Sequence, residues 1–124
     1  MKKLALGMIA FTALVMANVG HAEDSTPHGY MIANYQINDQ ATFKKYMEAA
    51  GPLAPKYGGK VIVFNVNAPA VEGKPKSVMA IAEFPSLADA QRFYNSPEYS
   101  AARKLRIAAT TGTVVITEGY APAP

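Results

Sequence analysis

The segments of this chain that read as strands are apolar at consecutive positions as well as at alternate ones, and that property constrains its architecture most. Lys60 to Val66 runs Lys-Val-Ile-Val-Phe-Asn-Val. Side chains along a strand alternate between the two faces of a sheet, which sets Ile62, Phe64 and Val66 on one face against Val61 and Val63 on the other. Gly29 to Ile37 opposes Tyr30 and Ile32 to Met31, Ala33, Tyr35 and Ile37, and Thr113 to Glu118 opposes Val114 and Ile116 to Val115. Neither face suits water, so both require a cover.

The helical segments supply one cover. Asp39 caps a helix whose apolar positions Phe43, Tyr46, Met47, Ala50, Leu53 and Tyr57 follow helical spacing. Gly51-Pro52 interrupts it and Gly58-Gly59 ends it. After the strand at Lys60 comes a ten-residue loop, Asn67 to Lys76, with Pro69, Gly73 and Pro75, and then a further strand from Ser77 to Phe84. Ser86 caps the next helix, Ser96-Pro97-Glu98 starts another through Ala109, and Gly112 is read as its stop before the last strand, Thr113 to Glu118. This order predicts an α+β fold of the ferredoxin-like βαββαβ type, an antiparallel four-stranded sheet with its helices on one face. A second copy of the same sheet is the most economical cover for the other face, so the expected partner is a homodimer packed through the sheet faces.

The first 22 residues read as an export signal. Met1-Lys2-Lys3 precedes a nearly uncharged run from Leu4 to Val19, and Gly20-His21-Ala22 supplies small residues before a polar break. A run of this length with Gly and Asn in it is shorter than the ~20 apolar residues of a membrane span. The domain organisation expected is a signal peptide over 1–22, a flexible lead over 23–28, a folded domain over 29–120 and a tail over 121–124. The protein is accordingly expected to be exported, periplasmic or secreted, with no membrane anchor after signal removal. Loss of Lys2 and Lys3 lowers the formal net charge from +3 to +1. A near-neutral domain gives no electrostatic case for nucleic acid. The chain contains no cysteine, so a lipoprotein anchor on cysteine, disulfides and thiol chemistry are excluded.

The pieces Gly29-Tyr30, Tyr57-Gly58-Gly59-Lys60, Glu72-Gly73, Glu83-Phe84-Pro85-Ser86-Leu87, Ser96-Pro97-Glu98-Tyr99, Arg106 and Thr111-Gly112 resemble the DUF1330 family, a domain of unknown function, over about residues 29 to 120. The resemblance implies the dimeric α/β barrel superfamily, ferredoxin-like subunits paired through their sheets. Relatives in that superfamily include small monooxygenases, haem enzymes and dehalogenase-like proteins. A shared fold does not transfer their chemistry.

Few chemistries remain open to these residues. After signal removal the one histidine is His28, in the lead, and the carboxylates are scattered singly. Neither a catalytic triad nor a metal-ligand spacing is present, and no metal or cofactor is expected. The weak catalytic candidates are Glu72 in the long loop, Glu83 on a strand and Arg106 on the last helix. Arg106 either meets the carboxylate of a ligand, pairs with Glu83 or Glu118, or covers apolar surface with its stem; the ion pair is the expected outcome. Tyr46 and Tyr99, with Arg106 and Glu72, are the candidate ligand-binding residues, since aromatic rings with polar tips suit a small-molecule cleft and equally well fill a core. The expected function is binding of a small apolar or aromatic molecule in a cleft within each subunit, with cofactor-independent acid/base or oxygen chemistry as its catalytic form. The alternative is a non-catalytic periplasmic accessory protein that works through protein contacts.

Overall fold

A computed structural model describes residues 26–123; the expected export signal lies outside the described residues. The elements are β1 (Gly29–Ile37), α1 (Gln40–Ala50), a 3-10 turn (Ala54–Tyr57), β2 (Lys60–Asn65), β3 (Val78–Phe84), α2 (Leu87–Asn95), α3 (Pro97–Ala109) and β4 (Thr110–Glu118). The four strands form one antiparallel sheet in the order β2-β3-β1-β4. Among the described residues no helix is long and apolar enough to cross a membrane.

Side-chain caps fix the helix starts. Asp39 accepts from the Thr42 amide at 3.0 Å and from the Thr42 hydroxyl at 2.7 Å, and Ser86 accepts from the Asp89 amide at 3.1 Å. Ser96 closes α2 and opens α3, donating to the Phe93 carbonyl and accepting from the Tyr99 amide. Pro52 cannot extend the hydrogen-bonded ladder of α1, and the chain continues as the 3-10 turn until Gly58 ends it at φ +73°, a left-handed conformation that glycine adopts without steric cost.

The inner face of the sheet carries Met31, Ala33 and Tyr35 of β1 with Val78, Ala82 and Phe84 of β3, all buried. A row of rings packs over it: Tyr35 on Phe43 (centroids 5.8 Å apart), Phe43 on Tyr46 (5.6 Å), Tyr46 on Tyr99 (6.4 Å), Tyr99 on Phe93 (4.3 Å) and Phe93 on Phe84 (5.1 Å). The outer face brings Ile32 opposite Ile81 on one side and Val115 on the other, with Val63 next to Ile81. Among the described residues no helix lies over that face, as the two-sided strands predict.

Two strand readings are corrected. In β2, Val61 pairs with Ala82 and Phe64 with Ala80, because a bulge shifts the register between Val61 and Val63. Strict alternation separates Val61 from Phe64; the extra residue puts both on the inner face. At the other end of the chain Gly112 does not stop a helix. α3 ends at Ala109, whose carbonyl accepts the Asn38 and Asp39 amides, and the Thr110 hydroxyl takes the Arg106 carbonyl at 2.7 Å. With those acceptors satisfied, β4 starts at once and Gly112 lies inside it, opposite Tyr35. A side chain there would run into the Asn34 carbonyl oxygen and the Tyr35 backbone. Gly112→Ala is expected to destabilise the fold by about 1–3 kcal/mol, the usual cost of forced overpacking, read as a lower urea midpoint. An unchanged midpoint would show that the strands can part without loss.

Candidate functional site

Arg106 occupies the last turn of α3 and is only 7% exposed. Its Nε has no hydrogen-bond partner among the described residues. No carboxylate approaches it among the described residues: of its two expected partners, Glu83 is engaged by His28, Tyr30 and Lys60 on the opposite face of the sheet, and Glu118 is exposed at the end of β4. Burial opposes the charge of Arg106, while the hydroxyl groups of Tyr99, Tyr46 and Tyr94 favour it and hold its pKa above the ordinary guanidinium value. The carbonyl end of the α3 dipole also favours a cation in that turn. The site is thus built for a positive charge but supplies no countercharge.

The cleft in front of Arg106 lies between α1 and the edge strand β2, with β1 and β3 as its floor. Its walls are Tyr35, Tyr46, Met47, Val61 and Phe64, above Met31, Ala33, Ala80 and Ala82, and among the described residues Arg106 is its one charged lining residue. A neighbouring lobe shares Met31, Tyr46, Met47, Val61 and Ala82 and ends at Gly51 and Phe93; each lobe measures about 90 Å³. The cleft exists because β2 extends beyond the cover of α1: Val61 and Phe64 face inward yet remain 62% and 43% exposed.

Tyr46 is the second polar group of the cleft. Its hydroxyl lies 3.0 Å from that of Tyr99, and both side chains are buried. Burial, and then Tyr99, raise the Tyr46 pKa far above the usual phenol value. Burial likewise pushes Tyr35 up to about 12, against an opposing pull from Arg106. Both phenols are therefore neutral hydrogen-bonding groups at neutral pH and are not bases. Tyr99 is fully buried and stands behind Tyr46 as its support, not as a wall.

The structure thus brings together Arg106, Tyr46 and Tyr99 of the sequence candidates and separates the two glutamates from them. Glu72 is exposed on the loop after β2. Glu83 lies on the outer face, where the Tyr30 hydroxyl donates to it at 3.1 Å and His28 Nδ1 and Lys60 Nζ each lie 3.5 Å away. His28, expected in a flexible lead, is tied down through its ring and through its carbonyl, which accepts the Gly119 amide at 2.7 Å. Val61, Met47 and Phe64 were not legible as site residues, since the bulge that turns Val61 and Phe64 into one cleft has no sequence signature here.

Glu83 predicts an acid response. Burial alone would raise its pKa, but the bonds from His28 and Tyr30 and the charges of His28 and Lys60 outweigh it, and the carboxyl sits below the ordinary glutamate value. A folded pKa below the unfolded one gives stability that is fully present above the unfolded value, about 4.3, and is lost as pH falls through the folded one. Glu83→Gln is expected to flatten the fall in Tm below about pH 4.3. An unchanged acid slope would contradict this.

The fold and this cleft define a class: a ferredoxin-like α+β subunit with an arginine-bearing apolar cleft between its first helix and its edge strand. The sequence profile of the domain of unknown function DUF1330 matches residues 28–120, and the chain belongs to that family. No curated protein sequence matches it. Among solved structures, a protein of unknown function from Rhodopseudomonas palustris superposes with a TM-score of 0.65 at 22% identity, over 82% of this chain and 89% of that one. A dimeric ferredoxin-like protein of unknown function from Jannaschia gives 0.57 at 15% identity, over 75% and 98%. SnoaB, a cofactor-independent oxygenase from Streptomyces nogalater, gives 0.57 at 12% identity, over 80% and 99%. These likenesses show the fold.

Proposed function

We propose that the protein binds a small organic anion, an apolar or aromatic body with one carboxylate or equivalent group, in the cleft between α1 and β2. The observation that carries this reading is the buried, unpartnered Nε of Arg106 in an otherwise apolar cleft. A buried cation without a countercharge is costly, and a buried donor left unmade costs about 1–3 kcal/mol. An anion supplies both the charge and the acceptor. Tyr46, held by Tyr99, donates or accepts beside it, and Met47, Val61 and Phe64 lose exposed apolar surface when the ligand enters. The two lobes, about 90 Å³ each, are together on the scale of the ~150 Å³ cavity that is known to admit a benzene ring.

Binding, without catalysis, is the function we assign. No carboxylate or imidazole of the described residues lines the cleft, and Glu83 and Glu72 stand elsewhere, so the acid/base form of the expectation has no base to use.

The working molecule we propose is an exported homodimer with the outer sheet faces together. Ile32, Ile81, Val63 and Val115 supply the apolar centre of that face, and the dimeric Jannaschia protein shares the fold. The basic and apolar start of the chain supports export.

Calorimetric titration at pH 7 with benzoate and with benzyl alcohol, nearly the same shape without charge, tests the ligand class. Benzoate is expected to bind at least tenfold more tightly, the scale of a hydrogen bond to a charged group. Equal affinities, or no binding by a panel of aromatic and aliphatic acids, would overturn the reading.

A further inference from the structure

The cleft continues beyond Arg106. A second hollow, about 430 Å³, opens along the same seam and shares Met47 and Phe64 with the Arg106 chamber. Its other walls are mainly apolar, Ile37, Phe43, Val66 and Val78, with Gln40 and Ser77 as the polar members. Met47 and Phe64 are both partly exposed, and an unbranched methionine re-packs easily. They stand between a small apolar chamber that ends in a cation and a larger, more open one that has both apolar and polar groups on its walls.

Resting on the reading above, we propose that the two hollows are one site and that its ligand is an amphipathic acid with an acyl chain of medium length. The carboxylate lies at Arg106 and the tail passes Met47 and Phe64 into the outer hollow. The length follows from α1: Met47, Phe43 and Gln40 mark the tail's path over about 10 Å of helix. At roughly 1.2 Å per bond in an extended chain, that corresponds to about eight carbons. A hollow continuous with a buried cation that lacks a countercharge suits a molecule with both a charged head and an apolar tail, whereas the second copy of the sheet proposed above covers the opposite face.

The test is a calorimetric series of butanoate, hexanoate, octanoate and dodecanoate on the full protein, alongside benzoate. Affinity is expected to rise up to about fourfold per methylene, equivalent to ~0.8 kcal/mol, as far as octanoate and then to level. Val66→Asn, just beyond the end of β2, and Ser77→Trp, which fills the hollow, should each reduce the gain in affinity from butanoate to octanoate. A flat series with benzoate still bound would overturn the acyl-chain assignment and leave the anion reading standing. Failure of every acid, benzoate included, would overturn both. A changed subunit number in either variant by sedimentation would assign the outer hollow to an interface between copies and overturn the proposal.

Discussion

Arg106→Met is expected to leave the ligand-free fold as stable as the wild type or to stabilise it by about 1–2 kcal/mol, and to weaken carboxylate binding about a hundredfold. The two effects have one origin. Arg106 is buried, its Nε is unpartnered, and no carboxylate of the described residues balances its charge. Methionine fills a comparable length without a charge to desolvate. Its flexible thioether also suits an irregular space. If Arg106 instead served the fold through an ion pair, breaking that pair would cost about 3–5 kcal/mol. The sign of the stability change therefore separates a functional arginine from a structural one. Urea denaturation gives the first quantity and benzoate calorimetry the second. Stabilisation at the expense of function is the usual mark of a residue kept for its ligand.

Ile32→Lys is expected to convert the protein from dimer to monomer at micromolar concentration. Ile32 lies on the inner strand β1, between Ile81 of β3 and Val115 of β4, at the centre of the outer face. Face-to-face packing would bury two such lysines close together with no carboxylate opposite them. Glu83 is the acid of that face, but it is already engaged by His28, Tyr30 and Lys60. Burial of an unpaired charge costs several kcal/mol, enough to shift the association constant by more than a hundredfold. In the monomer the same lysine points to water, so circular dichroism should remain that of the wild type. A wild-type monomer, or a lysine variant that still sediments as a dimer, would remove the sheet-face interface from the account.

Local signals made most of the fold legible. Asp39, Ser86 and Ser96 mark helix starts because their side chains satisfy amides that no helix can satisfy internally. Gly58 marks an end because only a left-handed residue fits there. Where a long-range choice decided the outcome, local pattern failed. The bulge between Val61 and Val63 depends on how β2 is paired with β3, and without it Val61 and Phe64 divide between two faces and the cleft has no wall. Gly112 is a glycine because β1 passes close to it, a fact about a strand about eighty residues away in the chain. Neither expected partner of Arg106 reaches it for the same reason: Glu83 and Glu118 have suitable chemistry, but β3 turns Glu83 to the outer face and Glu118 is exposed at the end of β4. Tyr46, Tyr99 and Arg106 were legible as candidates since their types suit a cleft, while their convergence is a product of α1 packing against α3.

The central claim is that the Arg106 Nε–H waits for an anion. Its resonance can be observed directly in ¹⁵N-labelled protein and assigned by its disappearance in Arg106→Met. On titration with benzoate at pH 7 that signal is expected to move in a saturable way, with the same affinity that calorimetry gives, as the donor acquires its acceptor. Benzoate binding that leaves the Arg106 Nε–H unmoved would place the anion elsewhere and contradict the account.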